Sequence, residues 1–201
     1  VDSVRRITAG MLYECYRTFY HPSNMTLLVV GDVSPSEVAH RASTRLDGRD
    51  FGPTPGAERI RPEEPRSVGA RRVERRMTVS EPIVCFGYKD PSVGWLGQSL
   101  MHRIIGMEML MHTLAGRSSA LYNSLYAEGL IDASFDWDYD CEHDYGFAMF
   151  EGRSNSPDRL VERVAEGIDS FLGAGVDPDE FERTRRRVIG SMLRSFDSLE
   201  F

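Results

Sequence analysis

Lysine is all but missing from this chain: Lys89 is the only one, and arginine carries the rest of the positive charge. That skew points to codon composition rather than to a binding role. The net charge is −7, which argues against a general nucleic-acid binder, because phosphate contacts need a positive surface. Cysteine is scarce too. Cys15, Cys85 and Cys141 are far apart and form no Cys-x-x-Cys pair, which disfavours both a disulfide framework and a structural zinc site. They read as structural thiols in a reducing cytoplasm. No apolar run reaches the roughly 18–20 residues that cross a bilayer, and no basic-then-apolar segment opens the chain.

What is present is ordinary globular material. Hydrophobic residues make up 41% of 201, with ten Phe, eight Tyr and two Trp. A chain of this length buries roughly 70% of the surface its unfolded form exposes, so it needs no covalent staple. It opens at Val1 in mid-pattern and stops at Phe201 just after a helical stretch, so we read it as a piece of a longer polypeptide.

Periodicity divides the chain. Residues 5–20 carry Leu12, Tyr13, Tyr16, Phe19 and Tyr20 at helical spacing, and His21-Pro22-Ser23-Asn24 breaks the helix. The continuous apolar run over residues 25–30, closed by Gly31-Asp32, predicts a buried strand. Ser34-Pro35-Ser36-Glu37 is a capping box and predicts a helix to about Leu46. Residues 1–47 are thus helix, strand, helix. Pro53, Pro55, Pro62 and Pro65 interrupt residues 48–70, the best linker candidate.

Residues 71–201 carry a second pattern. Residues 71–79 and 83–88 predict two strands around Glu81-Pro82, and residues 94–114 a long helix with Leu96, Leu100, Ile104, Met107 and Met111 on one face. Gly116 stops that helix, and Ser118 is placed to cap a short one bearing Leu121, Tyr122 and Leu125. Phe135, Trp137 and Tyr139 alternate with Asp136 and Asp138, and with residues 145–152 they predict a hairpin. Helical spacing over residues 157–172 and the Asp177-Pro178-Asp179-Glu180 cap predict two final helices. The fold class expected is α+β: a mixed, mainly antiparallel sheet with helices packed on one face.

Little in these residues carries chemistry by itself. His102 and His112 lie ten apart on one helix, nearly three turns, and cannot share an ion. Cys141-Glu142-His143 is half of His-x-x-Glu-His, but position 139 is tyrosine. An EF-hand loop starting at Asp136 needs glycine at its sixth position and glutamate at its twelfth, where this chain has Cys141 and Phe147. The acidic run from Asp136 to Asp144 therefore reads as the wet face of a strand entering a turn, with a loose cation site as the sharper reading. Gly116-Arg117-Ser118-Ser119 lacks the ending of a phosphate loop and follows no strand, so it reads as a helix-to-helix connection. Arg185-Arg186-Arg187 reads as a solvated face paired with Glu180 and Glu182. No metal site and no nucleophile–base pair stands out.

Two stretches take the reading further. Phe19-Tyr20-His21-Pro22-Ser23-Asn24-Met25 with Leu27-Leu28-Val29-Val30-Gly31-Asp32-Val33 resembles the segment joining the halves of pitrilysin/insulinase-type zinc peptidases, which include mitochondrial and bacterial processing peptidases. Leu114-Ala115-Gly116-Arg117-Ser118-Ser119-Ala120-Leu121-Tyr122-Asn123-Ser124-Leu125-Tyr126, continuing Ala127-Glu128-Gly129-Leu130, is similar to that family's glycine-serine loop, Leu-Tyr helix and Glu-Gly-Leu turn.

The resemblance covers nearly the whole chain. It implies the LuxS/processing-peptidase-like metallohydrolase fold, built from two similar halves. The first half of such a protein bears an inverted zinc motif, His-x-x-Glu-His, in which zinc activates a water and the glutamate acts as general base. This chain would begin after those residues and form the opposite wall of the peptide chamber. No catalytic residue, metal ligand or cofactor is then expected in the chain, and zinc is expected in the first half of the parent.

The partners implied are that zinc-binding half, a peptide substrate and a related subunit in a homo- or heterodimer, with no nucleic acid, no membrane, and a bacterial cytoplasmic setting. By family position Tyr126 and Asp132 stand where many active members place an arginine and a tyrosine that contact substrate. Gly116, Ser118 and Ser119 form the motif's loop. The departures at Tyr126 and Asp132 leave two readings: altered substrate contacts, or a non-catalytic structural or interaction domain of an inactive homologue. Residues 25–30 are also expected to dock on the sheet of residues 71–201, in cis or swapped between chains.

Overall fold

A computed structural model of the chain describes residues 2–53, 60 and 63–198. Pro55 and Pro62 of the expected linker lie outside them. Contacts divide the chain into two compact units, Val1–Arg61 with Phe196–Phe201, and Pro62–Ser195.

The first unit holds α1 (Asp2–Arg5), α2 (Ala9–Phe19), one turn of 3-10 helix (Pro22–Asn24) and α3 (Pro35–Leu46). Local caps explain the boundaries. Thr8 Oγ1 accepts from Met11 N at 3.2 Å to start α2, and Ser34 Oγ accepts from Glu37 N to start α3. At the break, Asn24 Nδ2 donates to the Phe19 carbonyl at 3.0 Å. None of the described residues of this unit is buried.

The second unit holds β1 (Ile83–Lys89), α4 (Gly97–Ala115), α5 (Ala120–Ala127), β2 (Asp136–Cys141), β3 (Gly146–Arg153), α6 (Pro157–Ala174) and α7 (Pro178–Ser195). The sheet is antiparallel, in the order β1-β3-β2. Its register stacks Phe86, Phe150 and Trp137 in one row across the three strands. The face bearing Val84, Phe86, Tyr139 and Phe150 packs under the helices, with α4 against β2 and α6 against β1. Phe86 and Phe150 stack at 5.4 Å, and Phe150 is 1% exposed. From the helices, Leu125, Leu160 and Val164 reach 0% exposure. Each such buried side chain contributes roughly 1.5–3 kcal/mol over leaving it in water. The α+β architecture with helices on one face is therefore as the periodicity predicts.

Two expectations fail. Residues 25–30 form no strand: they pair with nothing among the described residues, and Leu28 is 83% exposed. The sheet of the second unit consists of β1, β3 and β2 among the described residues. Apolar continuity favours extended backbone, but a strand exists only where a neighbour supplies the ladder. Residues 71–79 are irregular for the same reason. Their charged side chains turn to other uses, Arg72 reaching Glu74 at 2.5 Å and Asp158 at 2.7 Å. Smaller shifts concern ends: α4 starts at Gly97 rather than residue 94, and Ser119 rather than Ser118 caps α5.

Candidate functional site

The glycine-serine loop is a tight joint between α4 and α5, as its spacing predicts. Gly116 ends α4 by donating its N–H to the His112 carbonyl at 3.0 Å. A Cβ at Gly116 would sit 2.3 Å from that carbonyl oxygen, so only glycine fits. Ser119, 1% exposed, starts α5: its Oγ accepts from Tyr122 N at 3.0 Å and its N–H donates to the Gly116 carbonyl at 2.7 Å. Ser118 is exposed.

The Glu-Gly-Leu turn closes α5 in a Schellman motif. Gly129 N–H donates to the Tyr126 carbonyl and Leu130 N–H to the Leu125 carbonyl, both at 3.0 Å, with Gly129 at φ +68°. Glu128 is then free to pair with Arg163 of α6 at 2.6 Å, and Arg163 also holds Glu166 at 2.9 Å. Both motif segments thus have a complete structural account.

Tyr126 is exposed on α5 and stacks on Tyr122 at 6.4 Å. Asp132 lies beyond the turn, where Oδ1 accepts from Ser134 N at 2.8 Å and from the Ser134 hydroxyl. Those hydrogen bonds, with Arg153 nearby, hold the Asp132 carboxyl below the usual carboxylate range. Ser134 in turn accepts from Arg153 N at 3.0 Å. No hydrogen bond or ring contact joins Tyr126 to Asp132 among the described residues.

A cleft of about 190 Å³ opens beside this loop, where α4, α7 and β2 meet. His112, Arg117, Tyr122, Asp136, Trp137 and Arg187 line it, and of the loop residues Gly116, Ser118 and Ser119 the first alone does. The His112 ring stands edge-on to Trp137 at 4.6 Å and 89°. Burial and the Arg187 charge push the His112 pKa down against the pull of Glu108 and Asp136. Its Nδ1 is buried without a hydrogen-bond partner among the described residues. Sequence spacing missed this site because its residues come from four separated segments, and a lone histidine or arginine on a helix carries no such signal.

A second cluster lies at the far end of α4. Asp90 accepts from Tyr139 Oη at 2.6 Å, Arg103 Nε at 3.0 Å and Ser92 N at 2.8 Å. Burial would raise the Asp90 pKa, but hydrogen bonds from Tyr139, Arg103 and Ser92 outweigh it and hold the carboxyl below its ordinary range. Burial and Asp90 together push Tyr139 far up. Every member is satisfied, so the cluster is a structural clamp. Among the described residues no three His, Cys, Asp or Glu side chains converge as a metal site.

The comparisons with known proteins agree with this anatomy. Residues 6–188 match the family model described as the peptidase M16 inactive domain. Over its full length the chain is 35% identical to 47% of a Bacillus subtilis protein named "Uncharacterized zinc protease YmfH". It also superposes on 47% of a putative M16-like peptidase from Alicyclobacillus acidocaldarius, with TM-score 0.85 and 35% identity. A protease from Helicobacter pylori shares the fold at TM-score 0.77 and 19% identity, with 99% of this chain and 48% of that one covered. The chain belongs to the M16 zinc-peptidase family and corresponds to its C-terminal, inactive domain. It spans about half the length of the relatives it matches.

Proposed function

We propose that this chain is the non-metal-binding half of a two-half zinc peptidase, supplying one wall of the peptide chamber and performing no cleavage alone. The observation that carries the reading is the match to an inactive-domain model across residues 6–188, at about half the length of zinc-protease relatives. The first unit supports it independently. Residues 1–47 have helices and an extended run but no buried residue among those described, with Leu12, Tyr16, Phe19 and Leu27 exposed. Helices and an extended run without a core need a sheet to cover them, and the tail of a zinc-bearing half has one. Residues 48–70 then connect it to the second half. Zinc and the water-activating glutamate belong to the parent's first half, and a bacterial cytoplasm is the setting.

Reconstitution tests this. The chain mixed with the upstream His-x-x-Glu-His half of its parent should cleave unstructured peptides, while neither part does so alone. Cleavage by the chain alone, or stoichiometric zinc lost on changing His102 or His143, would overturn it.

One observation favours the second reading, a structural or interaction domain of an inactive homologue. Asp132 is committed to Ser134 and Tyr126 to Tyr122, so neither of the two family contact positions is unengaged. A parent lacking the upstream zinc motif would decide for this scaffold role.

A further inference from the structure

Arg187 departs from its two neighbours on α7. Arg185 and Arg186 each close on Glu182 at 2.9 Å, as expected for a solvated basic face, although Glu180 takes no part in those pairs. Arg187 forms no ion pair among the described residues and lines the cleft beside α4 instead. Among the described residues Arg117, on the glycine-serine loop, likewise has no carboxylate partner and makes only a long contact of 3.4 Å to the Ala133 carbonyl. Two arginines thus line one cleft, together with Tyr122, Phe135, Trp137 and His112. The single acid in the lining, Asp136, accepts from Trp137 N at 2.9 Å.

We propose that this cleft binds the carboxylate of an apolar or aromatic amino-acid residue, as a peptide C-terminus presents it. The guanidinium fork matches a carboxylate, and arginine is preferred for that geometry over a point charge. Two guanidinium groups against Asp136 leave a net positive cleft, which repels cationic side chains. A phosphate would bring a second negative charge beside Asp136 and suits the cleft less. A volume of about 190 Å³ admits one side chain, and the aromatic wall favours an apolar one. The His112 ring, with its unpartnered buried Nδ1, gives that wall a polar atom. The carboxylate chemistry stands on the cleft alone; only the peptide as its source rests on the peptidase reading.

Isothermal titration on the intact chain tests the site, with three probes: a short peptide ending in phenylalanine, the same peptide as its C-terminal amide, and N-acetyl-phenylalanine. The free-acid peptide should bind and the amide at least about tenfold more weakly, the loss expected for charge-assisted hydrogen bonds. Arg117 and Arg187 are exposed, so Arg117→Gln and Arg187→Gln should keep the wild-type melting temperature. Each should weaken acid binding by a similar factor and leave amide binding unchanged. Arg187→Lys should retain part of the affinity, since it keeps charge but loses the fork. Equal binding by N-acetyl-phenylalanine supports the site and assigns it to free acids rather than chain ends. Amide binding as tight as acid, no binding of any probe, or indifference to Arg187→Gln overturns it. Cleavage is not the readout, so a failed reconstitution leaves this result standing separately.

Discussion

The Tyr139 hydroxyl donates to the Asp90 carboxylate at 2.6 Å, tying the edge strand β2 to the end of β1 across the sheet. Asp90 is 7% exposed in its side chain, and Arg103 completes its coordination at 2.5 Å. Removing one partner leaves the rest of a buried polar group unsatisfied. Tyr139→Phe should therefore cost about 1–2 kcal/mol in urea denaturation, and Asp90→Ala about 3–5 kcal/mol by stranding Arg103.

The same carboxylate sets an acid limit. Its folded-state pKa lies below its unfolded value, so the unfolded chain takes up a proton first. The stabilisation is complete above about pH 4, the unfolded carboxylate range, and is lost as pH falls through the lower folded value. Denaturation midpoints between pH 6 and pH 2 should fall less steeply in Asp90→Asn than in the wild type.

His112 runs the other way in charge but not in slope. Burial depresses its pKa, so it folds neutral and must be protonated at a cost. Its penalty is absent above the unfolded value near about 6.5 and grows as pH drops through the folded one. By proton NMR the His112 ring should titrate below the ordinary histidine value of about 6.5, and an unshifted midpoint would contradict the buried site.

Glycine substitutions within α4 and at its C-terminal cap should diverge. Gly116→Ala places a methyl 2.3 Å from the His112 carbonyl and should lower stability by at least about 1–3 kcal/mol, the cost of overpacking against backbone. Gly106→Ala, in open space within α4, should raise it by about 0.5–1 kcal/mol. Thermal melts of the two variants give the comparison directly.

Gly129→Ala tests the Schellman closure. At φ +68° an alanine costs about 1–2 kcal/mol, and the loss should appear as weakened amide protection at Leu130.

Local codes explain what could be read in advance. Ser34 and Asp177 cap helices through side-chain oxygens as read, the cap of α5 falls one residue later than read, at Ser119, and Gly129 takes the positive φ that its turn demands. The hairpin was legible because Trp137 and Tyr139 alternate with aspartates that stay on the wet face. Strands without local partners were not: residues 71–79 alternate Val73, Met77 and Val79 with charges, yet no neighbour offers them a ladder. The cleft was hidden for a different reason. Arg187 differs from Arg185 and Arg186 only in which way the helix turns it, and that depends on how α7 packs on α4. Thr113 and Thr184 meet at that packing with their hydroxyls 3.4 Å apart, a contact seventy-one residues distant in sequence.

The extended run over residues 25–30 also bears on how the chain behaves in a tube. Met25, Thr26, Leu27, Leu28, Val29 and Val30 carry no charge and no proline, and their backbone is unladdered. Such a six-residue window is a template for cross-β stacking between molecules. Concentrated stocks should grow turbid with a lag that seeding shortens, and Leu28→Lys should delay fibre growth while leaving the second unit's melt unchanged.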